Sequence, residues 1–415
     1  MQEAPRRAPL AVLRHRDYRL LLGGQIGSLI GSRMQGAALL WHLDQLTRDP
    51  GALGTIGLVR LIPLITLALV GGLIADSLDR RRLMLGCQTF MAILSAALGA
   101  ATLSGARTPW MIYAVAALTA ATMVFDGPAR QSLLPTLVPR DELASAVSLN
   151  SLTTQLCAVL GPALMGWIIA QHSVGVVYCI NAASFLWVIG ALLLMRPVAA
   201  TPVEARPKIS FGAAIEGLRY VAQSPILLAI MLLDFVANLC ASANTLLPVF
   251  AREILQVGPG QYGLLAGAQS VGALLAAGTV AVLPPIQRQG RVILAAVLLF
   301  GLATAAFGLS QTFAPAYLAL AAIGATDTVS MVLRHTIRQW VTPDHLRGRM
   351  TSVNQLFVQG GPHLGELEAG FVARWFGTPF SIVSGGLACA LAVAWFWVAR
   401  PGLREYQRKE SAEYQ

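Results

Sequence analysis

Arg130-Gln-Ser-Leu-Leu-Pro-Thr-Leu-Val-Pro139-Arg-Asp-Glu-Leu143 is echoed 204 positions later by Arg334-His-Thr-Ile-Arg338-Gln-Trp-Val-Thr-Pro343-Asp-His-Leu-Arg347. The same offset carries Asn150 to Asn354 and Gln155 to Gln359. A second stretch repeats at an offset of 209, taking Pro50, Gly51, Gly54 and Arg82 to Pro259, Gly260, Gly263 and Arg291. Matches in two separate segments, in the same order and at nearly equal offsets, are hard to obtain from composition alone, so the chain reads as one unit repeated.

The repeated unit is apolar. Of 415 residues, 55% are hydrophobic and 12% charged, too little polar surface to cover such a chain in water. The apolar residues fall into blocks of roughly 18–25 positions, the length that about 30 Å of hydrocarbon asks of a helix. Twelve blocks are predicted: 18–42, 52–75, 82–104, 110–133, 144–170, 174–195, 226–250, 260–283, 291–310, 314–337, 347–373 and 378–399. The expected fold is an all-α membrane protein with twelve transmembrane helices in two pseudo-symmetric six-helix halves, residues 1–195 and 226–400. Residues 196–225 read as a cytoplasmic linker in which Phe211–Val221 forms a short amphipathic helix, and 401–415 as a cytoplasmic tail. Six helices per half keep the halves parallel about an axis along the membrane normal.

The formal charge of +10 invites a nucleic-acid reading, which the placement of the basic residues argues against. Twenty-four of the 30 lie on one side, in the termini and in or beside alternate loops, among them Arg80–Arg82, Arg140, Arg288 and Arg291. The opposite loops carry only Arg48, Arg107, Arg252 and Arg374, and Arg33 and Arg60 fall inside spans. The positive-inside rule then puts both termini in the cytoplasm. The first apolar block lacks a small-residue cleavage site and reads as a retained helix. All five cysteines sit in apolar spans without metal-ligand spacing, so they read as small buried hydrophobes and no metal is expected.

Between the second and third spans stands Gly72-Leu-Ile-Ala-Asp76-Ser-Leu-Asp79-Arg80-Arg81-Arg82. It resembles the major facilitator superfamily signature Gly-x-x-x-Asp-Arg-x-Gly-Arg-Arg, with matches at Gly72, Asp76, Arg80 and Arg81 and departures at Ser77 and Asp79. The resemblance implies a charge clamp that closes the cytoplasmic side of a central cavity, and Asp76→Asn is expected to impair cycling. Phe125-Asp126-Gly-Pro-Ala-Arg130-Gln-Ser and the repeat around Arg334 resemble the exporter branch typified by the enterobactin exporter and macrolide-efflux-like proteins. Asp126 and Arg130, four apart on one helix face, are expected to pair. In the fifth span Gly161-Pro162-Ala-Leu-Met-Gly166 resembles the antiporter signature Gly-Pro-x-x-Gly-Gly, with Met165 replacing a glycine. Small residues there let helices approach closely, and packing alone also accounts for them.

Charges at membrane depth cost several kcal/mol unless they face partners or water. Arg33, Arg60, Asp126, Asp234, Asp327, Glu366 and Glu368 qualify. On the eleventh span Gln355, Gln359, His363 and Glu366 form one stripe, while Glu368 points away from it. Asp234, Asn238, Ser242 and Thr245 form a line on the seventh span, and Asp327, Ser330, Arg334 and Arg338 on the tenth; both are expected to face water. Asp234, Asp327 and Glu366 are therefore candidate proton-coupling carboxylates, with structural ion pairs to Arg33, Arg60 or Arg334 as the alternative. Arg33, Arg60, Asn238, Gln359 and His363 are candidate cavity residues.

No Walker loop, zincin motif or nucleophile elbow is present, which argues against ATP hydrolysis and enzyme chemistry, and no cofactor is expected. Composition and periodicity give the membrane and the cavity. The resemblance implies the rest: a monomeric carrier in the bacterial inner membrane, exporting drug-like or siderophore-like molecules in exchange for protons. A lipid or lysophospholipid flippase and a non-transporting membrane sensor are the alternatives.

Overall fold

The structure is a computed structural model. It describes residues 11–77, 79–106, 108–196, 219–284, 286–343 and 346–407, with side chains for all of these except 68–77, 347–349, 351–353, 355–357 and 359. Among them there is no strand. The first half contains α1 (Arg16–Thr47), α2 (Pro50–Ser77), α3 (Arg80–Leu103), α4 (Pro109–Leu137), α5 (Leu143–Gln171) and α6 (Val174–Leu194). The second contains α7 (Pro225–Cys240), α8 (Leu247–Glu253), α9 (Pro259–Val282), α10 (Gln289–Leu309), α11 (Phe313–Val341), α12 (Arg347–Phe376), α13 (Thr378–Ala399) and a final turn, α14 (Pro401–Arg404).

Among the described residues ten stretches are long and apolar enough to cross a membrane, with α7 and α8 in one stretch, Pro225–Glu253. The remaining long helices, α1 and α12, complete the twelve-helix fold. No more than half of any of the ten stretches is buried. Leu186, Trp187, Leu275, Leu391, Trp395 and Val398 stand exposed along them, the surface that a lipid solvent selects.

Local chemistry sets the helix ends. Proline opens α2, α4, α7 and α9, where its fixed φ suits the first turn and its missing N–H costs nothing. Asp79 caps α3 by accepting from the Arg82 N–H at 3.0 Å. Gly377, at φ 92°, makes the turn from α12 into α13, where a side chain would be strained. The repeat is visible in the backbone. Val138 before Pro139 and Thr342 before Pro343 are both extended and end α4 and α11, because a proline ring disfavours helix in the residue before it.

The seventh span departs from the expected unbroken block. α7 stops at Cys240, a 3-10 turn follows over Ala243–Leu246, and α8 begins at Leu247. Pro248 lacks an N–H and its ring crowds the carbonyl of Asn244, which accounts for the interruption. The freed Ser242 hydroxyl donates to the Asn238 carbonyl at 2.7 Å and to the Pro362 carbonyl of α12 at 3.3 Å. Three of the cysteines, Cys87, Cys157 and Cys389, are buried as expected; Cys240 is half-buried, and Cys179 differs in being exposed.

Contacts divide the chain into two compact units: residues 1–39 with 62–208, and residues 40–61 with 209–415. The tip of the α1–α2 hairpin, residues 40–61, thus belongs to the first half by sequence and to the second unit by contact. In the first unit Leu21, Met84, Ala129, Leu133, Val188 and Leu192 form the core. Within it, Asn181 donates to Gln35 Oε1 at 2.8 Å and to Ser95 Oγ at 3.2 Å, satisfying a buried amide. In the second unit Phe250 packs on Phe307 with centroids 4.5 Å apart, and Trp41 of the hairpin tip stacks on Tyr262 at 4.8 Å.

Candidate functional site

The second unit gathers two intramembrane charge clusters. In the first, Glu366 of α12 lies with Oε1 3.9 Å from Arg60 Nη1 and Oε2 3.2 Å from His363 Nδ1, one helical turn away. The Thr245 hydroxyl also hydrogen-bonds to Glu366. At 3.9 Å the Arg60 contact is an ion pair rather than a hydrogen bond, and its attraction at an effective dielectric of 20 is about 4 kcal/mol before desolvation. Glu366 is 16% exposed and Arg60 22%, so neither is sealed within the protein. Glu368 is exposed on another face, as the wheel predicts.

The second cluster is centred on Arg334 of α11. Its Nη1 lies 2.6 Å from Asp234 Oδ1 and its Nη2 3.5 Å from Asp327 Oδ1. Asn238 Nδ2 adds a hydrogen bond to Asp234 Oδ1 at 2.8 Å. Asp234 and Arg334 are 13% and 11% exposed, whereas Asp327 is 47% exposed and only loosely held. Two positions of the lines expected to face water are enclosed instead. Ser330 and Thr245 are each 1% exposed, turned into helix packing by close approach of neighbouring helices, so those two positions do not face water.

The hairpin tip is fastened to the rest of the second unit along its length. Arg252 of α8 donates to Asp44 through Nε at 2.8 Å and Nη2 at 2.9 Å, a two-pronged pair on a carboxylate 1% exposed. Arg374 Nη1 lies 3.6 Å from Asp49 Oδ2. Between these ends α2 meets α12 through small residues. A Cβ on Gly54 would stand 2.8 Å from the Gly370 Cα, and one on Gly57 2.7 Å from the Glu366 Cβ, so only glycine permits this approach. The carboxylate nominated for proton coupling therefore sits inside the contact that holds the tip.

In the first unit, Gly161 of the antiporter-like motif lies against α1 beside Arg33. A Cβ there would come 2.5 Å from the Arg33 Cβ and 3.0 Å from the Ile30 carbonyl. Pro162 and Gly166 are buried in the same helix. Arg33 is exposed midway along α1, with no hydrogen bond or ion pair among the described residues. Asp126 is fully buried, pairs with Arg130 and accepts from Gln88 Nε2 at 2.8 Å. Gln88 in turn accepts from Ser28 at 3.3 Å. Arg80 donates to the Ser132 carbonyl of α4 at 2.9 Å, and Arg81 to the carbonyls of Leu192 and Leu193 in the last turn of α6 at 2.6 and 3.0 Å.

The side chains of Gly72, Asp76 and Gln359 lie outside the described residues, as does residue 211–218 of the expected linker helix. The Asp44–Arg252 pair was missed by the sequence reading, which counted Arg252 among loop charges. Nothing local to either helix in the sequence signals this pairing.

With this geometry in hand, comparison places the chain among known carriers. A family described as transmembrane secretion effector matches residues 7–414. The enterobactin exporter EntS of Salmonella choleraesuis strain SC-B67 is 25% identical over 341 residues, covering 82% of this chain and 81% of the relative. EntS of Escherichia coli O81 strain ED1a is 24% identical over 343 residues, with coverage of 82% and 81%. Among solved structures, a bacterial homologue of the human lysosomal transporter Spinster, inward-facing and unoccupied, superposes with a TM-score of 0.73 at 14% identity, covering 94% of this chain and 98% of that one. A POT family transporter bound to 5-aminolevulinic acid gives 0.75 at 12% identity, with coverage of 94% and 96%. These likenesses bear on the fold.

Proposed function

Because the chain belongs to the transmembrane secretion effector family of the major facilitator superfamily, we propose that it is a monomeric proton antiporter exporting small amphiphilic molecules, drug-like or siderophore-like, by alternating access. Both termini lie in the cytoplasm of this scheme, and the hairpin tip is the outer gate.

The observation that carries the reading is the position of Glu366. Its ionised carboxylate attracts Arg60 of the tip and holds the gate shut in an empty carrier. A proton on Glu366 cancels that attraction, and a substrate competing for Arg60 weakens it. Either event frees the gate while the empty, ionised carrier stays locked, which is the condition for exchange without leak. Asp234 and Asp327 share Arg334 within the second half and do not touch the tip, so their titration acts on the cavity wall. His363, with Nδ1 3.2 Å from Oε2, orients the Glu366 carboxylate.

The test is flux in proteoliposomes under an imposed pH gradient, with a panel of catechol and carboxylate siderophores, macrolides, lipophilic cations and a labelled lysophospholipid. Gradient-driven movement of one small-molecule class supports antiport. Lipid movement indifferent to the gradient would replace it with the flippase reading.

Arg33, without a hydrogen bond or ion pair among the described residues, points to substrates with an anionic group, since a guanidinium at membrane depth is compensated by an anion more than by a neutral molecule. Arg33→Ala is expected to weaken anionic substrates by about ten- to a hundredfold, the weight of roughly 1.5–3 kcal/mol for a hydrogen bond to a charge, and to leave neutral ones within a few fold. Equal losses for both classes in a competition assay would assign Arg33 to packing against Gly161.

A further inference from the structure

We propose that the first unit holds a binding site for a phosphate-bearing anion where the start of α1, the end of α4 and the end of α6 converge. A cavity of about 220 Å³ opens there, lined by His15, Arg16, Asp17, Leu137 and Arg196. Pockets for drug-sized ligands run to about 300–1,000 Å³, so this one suits a head group rather than a transported molecule.

Its side chains are set in place. Arg16 Nη2 donates to the Leu194 carbonyl at 3.1 Å, and Nη1 to Asp17 Oδ1 at 3.3 Å. His15 Nε2 lies 2.8 Å from Glu142 Oε2, and Arg14 engages the other oxygen, Oε1, of the same carboxylate. Asp17 is thereby matched by Arg16. Arg196 is left over, exposed, with no hydrogen bond or ion pair among the described residues. A cavity with one surplus guanidinium and one fixed guanidinium takes an anion, and phosphate fits the forked donors of arginine.

The surroundings favour a lipid as its source. Leu193 and Leu194, at the end of α6, are each 62% exposed and continue the lipid-facing surface beside the cavity. An anionic phospholipid would set its phosphate against Arg16 and Arg196 and its chains along these leucines. The leaflet rests on the orientation proposed above, in which this end faces the cytoplasm; binding itself does not depend on transport.

The experiment is native mass spectrometry of the purified, delipidated full chain with phosphatidylglycerol, phosphatidylcholine and inorganic phosphate as probes. Phosphatidylglycerol is expected to bind the parent, and Arg196→Gln to weaken it about fivefold, the usual weight of one basic residue at an anionic membrane surface. Arg196 has no hydrogen bond or ion pair to lose among the described residues, and the circular dichroism and thermal unfolding of Arg196→Gln are expected to match those of the parent. Arg291→Gln, an exposed arginine on α10, is expected to change nothing. Phosphate binding that depends on Arg196 and equals that of the lipid would keep the site and make free phosphate its source. Equal lipid binding by Arg196→Gln and parent, or an equal loss in Arg291→Gln, would overturn the proposal. Because no flux enters the readout, failure of the export reading leaves this result interpretable, and the reverse holds too.

Discussion

Glu366→Gln is expected to abolish gradient-driven accumulation of substrate while leaving substrate–substrate exchange running. Glutamine keeps the shape of a protonated carboxylic acid and removes the charge that attracts Arg60 at 3.9 Å. The variant is thus fixed in the unlocked condition. It should equilibrate substrate across the bilayer whatever the pH gradient, because the attraction to Arg60 that distinguishes empty from loaded carrier is gone. Asp234→Asn should instead retain a gradient response, since its partner Arg334 lies on α11 and not on the hairpin tip. Counterflow and accumulation assays on the two variants separate these outcomes. Accumulation by Glu366→Gln equal to that of the parent would remove Glu366 from coupling.

Asp44→Asn should loosen the hairpin tip without any substrate present. The Asp44 carboxylate is 1% exposed and receives two hydrogen bonds from Arg252, itself 30% exposed and 3.2 Å from Glu253. Breaking a buried pair costs about 3–5 kcal/mol. Water and Glu253 relieve part of the charge left on Arg252, so a cost of about 2 kcal/mol is expected, roughly thirtyfold in the ratio of closed to open tip. Spin labels at the exposed Gln45 and Gln256, after replacement of the exposed Cys179, report this distance. The parent should give one short distance and Asp44→Asn an added longer population. The charge swap Asp44→Arg with Arg252→Asp should restore the short one. An unchanged distribution in Asp44→Asn would mean that the stacked Trp41 and Tyr262, with the glycine contacts, hold the tip unaided.

Much of the architecture was legible because apolar length and repetition are local signals. Pro139 and Pro343 mark equivalent helix ends, and the Asp126–Arg130 pair follows from helical spacing alone. Long-range partners were not legible. The stripe on α12 nominates Glu366, but nothing within α12 says that Arg60 faces it, since that depends on how closely Gly54 and Gly57 let α2 approach. Pro248 could have announced the break in the seventh span, yet within a long apolar block its effect was outweighed by the count of apolar residues. Ser330 shows the limit of the helical wheel, which gives direction and not depth. Arg80 and Arg81 were read through a motif, and their observed partners are carbonyls whose positions only tertiary packing fixes.

The most direct test of the export reading is to follow proton movement itself. Proteoliposomes loaded with a pH-sensitive dye are given a transported substrate on one side, without an imposed gradient, and internal pH is recorded for the parent and for Glu366→Gln. Exchange through Glu366 predicts proton movement opposite to substrate movement in the parent and none in the variant. Substrate movement in the parent with no change of internal pH would contradict proton antiport.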